Sequence, residues 1–189
     1  SSTGSVEHFL RGLGLRVQIE PAADSTMPRV VQLFAKTNQF NLTTRRHDEA
    51  TLRRKIAAGE WRVYTMQVAD RFGDFGLTGV AVVAPAGRVW HLESFLMSCR
   101  VIGKSVETAL IARIAEDARR ADAAALTAEF IDSGRNQVAA MFLTNHGFSP
   151  TDTRRWERSL SQPGPDWPEW ISDLSAGRGP GAAAEAVMP

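Results

Sequence analysis

The chain has 189 residues, 43% of them apolar, and a formal net charge of +1, which suits one domain with a proper core and lacks the basic surplus of a dedicated nucleic-acid binder. No apolar run approaches the length of a membrane span, and the start SSTGSVEHFL has no secretory h-region. The single cysteine, Cys99, cannot make an internal disulfide, so a cytoplasmic location is expected.

Residues 1–4 are polar and expected to be loose, and residues 6–13 suit a short helical lead-in. Leu15, Val17 and Ile19 alternate with polar residues as a half-buried strand ended by Pro21. A helix follows from Pro28, with Val30, Val31, Phe34 and Ala35 on one stripe. Residues 37–46, TNQFNLTTRR, break the pattern and read as a loop rich in side-chain to backbone bonds. Asp48 then suits the N-cap of a second helix that stops at Gly59, turning Leu52 and Ile56 inward and Arg53, Arg54 and Lys55 outward.

Residues 61–68 and 77–84 alternate as two strands of a hairpin tipped by DRFGD, and a third strand leads to Cys99. From Ser105, Val106, Leu110, Ile114 and Ala118 recur every four residues, so this helix packs one face on the sheet. Residues 126–131 form a strand whose helical connection makes it a parallel partner. A helix over residues 136–145 points Val138, Met141 and Phe142 inward, Gly147 closes it, and residues 156–160 suit a last strand. Beyond Gln162 the composition shifts to Pro, Gly and Ala; Trp167 and Trp170 can still pack, while residues 175–189 are expected to be disordered. The expected organisation is an extension over 1–14, one domain over 15–161 and a tail over 162–189.

The joint at residues 99–105 has a particular chemistry. Unpaired N–H groups and a partial positive charge at a helix start hold phosphate where the backbone can approach closely. Gly103 permits that approach, Arg100 and Lys104 add charge, and Ser105 opens the helix. This strand, Arg-x-x-Gly-x-Ser and helix resemble the acyl-CoA pyrophosphate loop of the GNAT (Gcn5-related N-acetyltransferase) fold. The order strand, two helices, three antiparallel strands, helix, strand, helix, strand matches that fold over residues 15–160. Residues 134–148, GRNQVAAMFLTNHGF, stand where GNAT proteins often carry a motif like Asn-x-x-Ala…Gly-Phe. The expected fold class is therefore α/β, GNAT-like, with antiparallel N-terminal strands and a parallel βαβ pair splayed apart.

Within that fold, TNQFNLTTRR, DRFGDFGLTGV and FLMSCRVIGKSVE are similar to the C-terminal domain of FkbH-like proteins. Such proteins pair a HAD-type phosphatase domain with this domain and move glyceryl from 1,3-bisphosphoglycerate to an acyl carrier protein in polyketide pathways. The resemblance implies that this chain is the acyl-handling half, since no Asp-x-Asp-x-Thr/Val motif occurs in it. Its implied partners are an acyl carrier protein and a HAD-type phosphatase. Its implied cofactor is coenzyme A or carrier-bound phosphopantetheine, with no metal. The thiol-tipped arm would lie in the gap of the splayed sheet: a pyrophosphate loop of Arg100, Val101, Gly103, Lys104 and Ser105 would hold its phosphate, Asn136 would bond the pantetheine amides, and Cys99 would take the acyl group. On the substrate side the resemblance points to Asn38, Gln39, Asn41, Thr43 and Arg45, with His47 lining the pocket as a second catalytic candidate.

The residues also admit plainer roles. A lone cysteine is usually a small buried hydrophobe, residues 37–46 can merely tie down a loop, and the basic run at residues 53–55 is usually a solvated face. His91 shares strand parity with Cys99 but lies roughly 26 Å from it along a straight strand, so it is not its base. Glu93 reads as a solvated carboxylate and His146 as a helix-end cap. Many amine-acetylating GNAT enzymes resemble one another in a tyrosine before Gly-Phe; here that place is Leu143, and the one tyrosine is Tyr64. Two further readings stay open: a CoA-dependent N-acetyltransferase, and a non-catalytic module that docks a carrier protein.

Overall fold

Period-two alternation over the first half of the chain and two strand–helix units after it close into one mixed sheet. A computed structural model describes residues 2–176. Its elements are α1 (Ser2–Gly12), β1 (Leu15–Pro21), α2 (Met27–Lys36), β2 (Phe40–Asn41), α3 (Glu49–Ala57), β3 (Arg62–Asp70), β4 (Gly73–Ala86) and β5 (Val89–Met97). A 3-10 turn (Cys99–Val101) leads to α4 (Val106–Arg120), β6 (Ala125–Glu129), α5 (Gln137–Asn145), β7 (Ser149–Pro150), β8 (Arg155–Ser159) and β9 (Ile171–Asp173). The strands lie in the order β7, β8, β6, β5, β4, β3, β1, β9, with β2 added beside β5. β5 and β6 are parallel, as the helical crossover requires, and β1 and β9 are parallel too.

Each face of the sheet has its own apolar layer. Met66, Val83, Leu92, Phe95 and Met97 pack under α4 and α5 on one side. Val80, Val82 and Leu96 pack under α2 and α3 on the other. Burial of Leu110, Ile111 and Ile114 agrees with the four-residue repeat that located α4. Asp48 caps α3 as expected, its carboxylate accepting from the Thr51 N–H at 2.8 Å.

Four local expectations are corrected. Residues 2–4 are not loose but begin the lead-in helix, whose Leu10, followed by Leu13, is buried in the core. α5 buries Ala139, Phe142 and Leu143, whereas Val138 and Met141 are exposed. The residues after Gln162 are not all tail: Trp167 and Trp170 pack on the core, and Ile171, Ser172 and Asp173 pair with Leu15, Arg16 and Val17. Arg113, buried on α4, holds this segment by an ion pair to Asp173, with its guanidinium 5.4 Å from the Trp167 ring centroid. Ser175 is buried, and the disorder expected beyond it falls outside the described residues from 177 onward.

The fourth correction positions everything else. β5 and β6 pair only from Val89↔Ala125 to Leu92↔Ala128 and then diverge, giving the splay that the sequence suggested would receive a thiol-tipped arm. The chain fills that splay itself. Phe40 and Asn41 pair antiparallel with Met97 and Leu96, the Leu42 N–H donates to Phe95 O at 3.3 Å, and the Ile131 N–H donates to Leu42 O at 2.9 Å. Residues 40–42 thus form a bridging strand bonded on both sides. Phe40 and Leu42 are buried, and Phe40, Phe95 and Phe142 stack in the gap with centroids 4.4 to 6.0 Å apart.

Asn136 locks the bridge. Fully buried, it donates through Nδ2 to Asn41 O at 2.8 Å and Ile131 O at 2.9 Å, while its Oδ1 accepts from the Ser133 N–H. Asn136→Ala leaves those carbonyls without this donor and should cost about 2 kcal/mol or more, measured as a lower urea midpoint at unchanged slope. A loss under about 0.5 kcal/mol would show that the clamp is dispensable.

Candidate functional site

Cys99 lies past the end of β5, on the 3-10 turn, and is exposed rather than packed as a hydrophobe. Ser98 starts the turn by accepting the Arg100 N–H on its hydroxyl. The turn forms one wall of a groove of about 460 Å³ whose other wall is α2, and Asn38 and Gln39 complete it. Two expected substrate-side residues therefore do meet the cysteine. Arg29, Lys36 and Arg100 line the same groove.

The remaining expected residues go elsewhere. Asn41 and Thr43 are buried and shape the loop: Asn41 donates to Thr37 O and accepts from the N–H groups of Thr43 and Thr44, and Thr43 Oγ1 accepts from the Arg45 N–H. Thr44 needs this support, because its φ is 56°. Arg45 spans the mouth of the splay, pairing with Glu129 on β6 at 2.8 Å and Glu93 on β5 at 3.5 Å.

His47 is wedged edge-on between Phe34 and Trp61, with Nε2 3.5 Å from Ser94 Oγ and 3.6 Å from a Glu93 oxygen. Three strand steps carry the chain roughly 10 Å from Ser94 to Met97 before the turn that bears Cys99, and His47 does not line the groove with Cys99, so it is not placed to take the Cys99 proton. The two catalytic candidates of the sequence thus line different places.

A register shift explains the cluster around Glu93. Val82 faces Ser94 but Val83 faces Leu92, so Glu93 is an extra residue in β5 and sits with Ser94 on the α2 side. His91 approaches Glu93 at 3.8 Å and Thr127 Oγ1 at 2.9 Å. Burial alone raises the Glu93 carboxyl, but His47, Arg45 and His91 outweigh it and hold it below the usual carboxylate range. The solvated carboxylate expected at Glu93 is instead the hub of an ion-pair cluster, a role no linear pattern could show. His146 caps α5 as anticipated, and it also joins two helices: Nδ1 is 2.7 Å from Phe142 O and Nε2 2.9 Å from Thr108 Oγ1 on α4. A separate cavity of about 470 Å³ is lined by Tyr64, whose hydroxyl donates to Asp117 at 2.8 Å, and by no cysteine, serine, threonine or histidine among the described residues.

The loop before α4 has the expected backbone, with Gly103 at φ 86° and open space where its Cβ would stand. Its lysine is committed elsewhere. Lys104 Nζ pairs at 3.1 Å with the buried Asp70, and burial, which alone would raise that carboxyl, is outweighed by Lys104 and by the N–H groups of Phe72 and Gly73. Arg100 turns to Phe75 O. Ser105 adopts φ 62° and its side chain caps nothing, while Glu107 puts a carboxyl into the first turn of α4 with Oε2 buried and unpartnered.

Coenzyme A bound through a splay and a pyrophosphate loop does not fit this arrangement. The splay is occupied by residues 40–42, the Asn136 amide is spent on holding them, and Lys104 is tied to Asp70. Burying Phe40 and Leu42 is worth about 3–6 kcal/mol before any hydrogen bond is counted. By that burial alone an emptied splay is populated by about one molecule in a hundred or fewer.

Burial raises the Glu107 carboxyl, so its native form favours the proton. A raised folded value contributes stability below the unfolded value near 4.5, which is lost as pH rises through the folded value. Glu107→Gln should accordingly raise the Tm at pH 8 and leave it nearly unchanged at pH 4. Equal shifts at both pH values would place the effect in packing, not charge.

No protein-family model and no curated protein matches the chain. Solved structures do. A spermidine N-acetyltransferase from Vibrio cholerae, determined with CoA and spermine, superposes with a TM-score of 0.61 at 12% identity, covering 77% of this chain and 96% of that one. A GNAT-family protein from Desulfovibrio desulfuricans gives 0.60 at 12% identity, covering 76% and 99%. The ribosomal-protein-S18-alanine N-acetyltransferase from Escherichia coli gives 0.53 at 12%, covering 78% and 96%. At such identities the likeness speaks to architecture, and the architecture of this chain is the GNAT fold.

Proposed function

We propose that this chain is an acyltransferase that carries an acyl group on Cys99 and delivers it to the phosphopantetheine thiol of an acyl carrier protein. The observation that carries the reading is an exposed, solitary thiol on the wall of a 460 Å³ groove, flanked by the amides of Asn38 and Gln39 and by three cations. A cysteine kept only for packing would be inside. The resemblance to FkbH-like proteins supports glyceryl, or a similarly small acyl group, as the cargo. It also supports a HAD-type phosphatase as the upstream partner and polyketide assembly as the setting.

The chemistry is two exchanges at one sulfur. Cys99 loses its proton to solvent and attacks the carbonyl carbon of an acyl phosphate or thioester. The S–C bond forms as the leaving phosphate or thiolate departs with its electron pair. The carrier thiolate then attacks the same carbon, and Cys99 leaves as thiolate. Arg29, Lys36 and Arg100 supply positive charge to the groove in which the carbonyl oxygen becomes anionic.

A second reading, a CoA-dependent N-acetyltransferase, is favoured by the likeness to the CoA-bound Vibrio cholerae spermidine enzyme. Two observations weigh against it: the filled splay, and the buried Leu143 where amine-acetylating relatives resemble one another in a tyrosine.

Intact-mass measurement after incubation with a HAD-type phosphatase and 1,3-bisphosphoglycerate should reveal an acyl adduct on the chain. The adduct should vanish in Cys99→Ala and discharge when carrier protein is added. An adduct that survives Cys99→Ala contradicts the relay. Acetyl-CoA turnover with amines that is unaffected by Cys99→Ala selects the second reading.

A further inference from the structure

The groove beside Cys99 concentrates positive charge that no carboxylate among the described residues answers. Arg29 donates to Leu77 O at 3.1 Å and to Gln32, Arg100 donates to Phe75 O, and Lys36 has no partner among the described residues. Arg16 and Arg46 likewise bond only to carbonyl oxygens, so what marks the groove is that three cations line it together. Burial, and then the nearby Arg100, lower the Arg29 guanidinium from its usual value, so two like charges face the groove together. Arg29 and Lys36 are seven residues apart on α2, about 10 Å along its axis, which gives the groove a length as well as a mouth. Asn38 and Gln39, whose side chains can both donate to and accept from amides, line the same groove.

A phosphopantetheine arm carries a phosphate, two amides and a thiol, and the groove offers cations, amides and the Cys99 thiol to meet them. The splay, where the fold would otherwise seat such an arm, is closed by residues 40–42 and clamped by Asn136. We infer that a carrier-borne phosphopantetheine arm reaches Cys99 along the groove between α2 and the turn after β5, and not between β5 and β6. The inference rests on the acyl-relay reading for its purpose. Its geometry stands apart from that reading and is tested without an acyl group.

Cys99 is the chain's one cysteine, so disulfide exchange reports on it alone. With pantethine as probe, the Cys99 thiolate attacks one sulfur, the probe's S–S bond breaks, and pantetheine leaves as thiolate with the electron pair. The mixed disulfide is read by intact mass. Gln39→Trp, which fills the groove, should slow this exchange at least tenfold while alkylation by the small reagent iodoacetamide changes less than twofold. The disulfide of 4′-phosphopantetheine should react several-fold faster than pantethine at low salt, and Arg29→Gln with Lys36→Gln should remove that advantage. The disulfide of coenzyme A, bulkier beyond the phosphate, should gain less than 4′-phosphopantetheine; an equal gain would name coenzyme A as an equally suited source of the arm and overturn the assignment to a carrier.

Pantethine exchange that ignores Gln39→Trp but speeds up in Phe40→Ala would put the arm in the splay and overturn the inference. Loss of the acyl adduct with pantethine selectivity intact would defeat the relay alone.

Discussion

The two hydrogen bonds of residue 42, from its N–H to Phe95 O and from the Ile131 N–H to its carbonyl, fix what this molecule can hold. Parallel strands that part company leave a row of unpaired backbone groups on each inner edge, and buried groups of that kind must find partners. An arm rich in amides can serve as the partner. Here the polypeptide serves, with two apolar side chains added to the core and an asparagine dedicated to the join. What would be a slot becomes part of the sheet.

From that closure the division of labour among the polar residues follows. Asn41, Thr43 and Asn136 are consumed in building the bridge, and Arg45 ties its exit to both diverging strands through Glu93 and Glu129. Because these pairs are partly buried and share one arginine, they act as a unit that fixes the loop more than as separate surface bridges. Residues 38 and 39, just before the bridge, remain outside and open onto the groove with Cys99. A single stretch of ten residues thus supplies both the plug and one end of the candidate site.

Much of this architecture is legible in the sequence because it is local. The alternation of residues 15–20 and 61–68, the cap at Asp48 and the repeat of α4 each declare their own element. So does the glycine that takes φ 86° ahead of α4. What escaped needs a distant partner to exist. β2 is two residues long and lies among threonines and amides, so nothing but Leu96 and Met97 makes it a strand. β9 depends in the same way on β1, in a stretch whose prolines and glycines suggest a tail. In α5 the inward stripe is Ala139, Phe142 and Leu143, a phase hidden because Val138 and Met141 are as apolar as the residues that are buried. At the site, the proximity of Cys99 to Asn38 and Gln39 was implied by family resemblance, whereas the extra residue in β5 that gathers His91, Glu93 and Ser94 is visible only in the register.

The claim on which this account turns is that the splay is shut by the chain itself, and backbone amide exchange addresses it directly. The amides of Leu42 and Ile131 should exchange as slowly as those in the centre of β4, with the same protection in excess coenzyme A as without it. Fast exchange at these two amides, or exchange that responds to coenzyme A, would mean that residues 40–42 yield the gap to a ligand and would contradict the account.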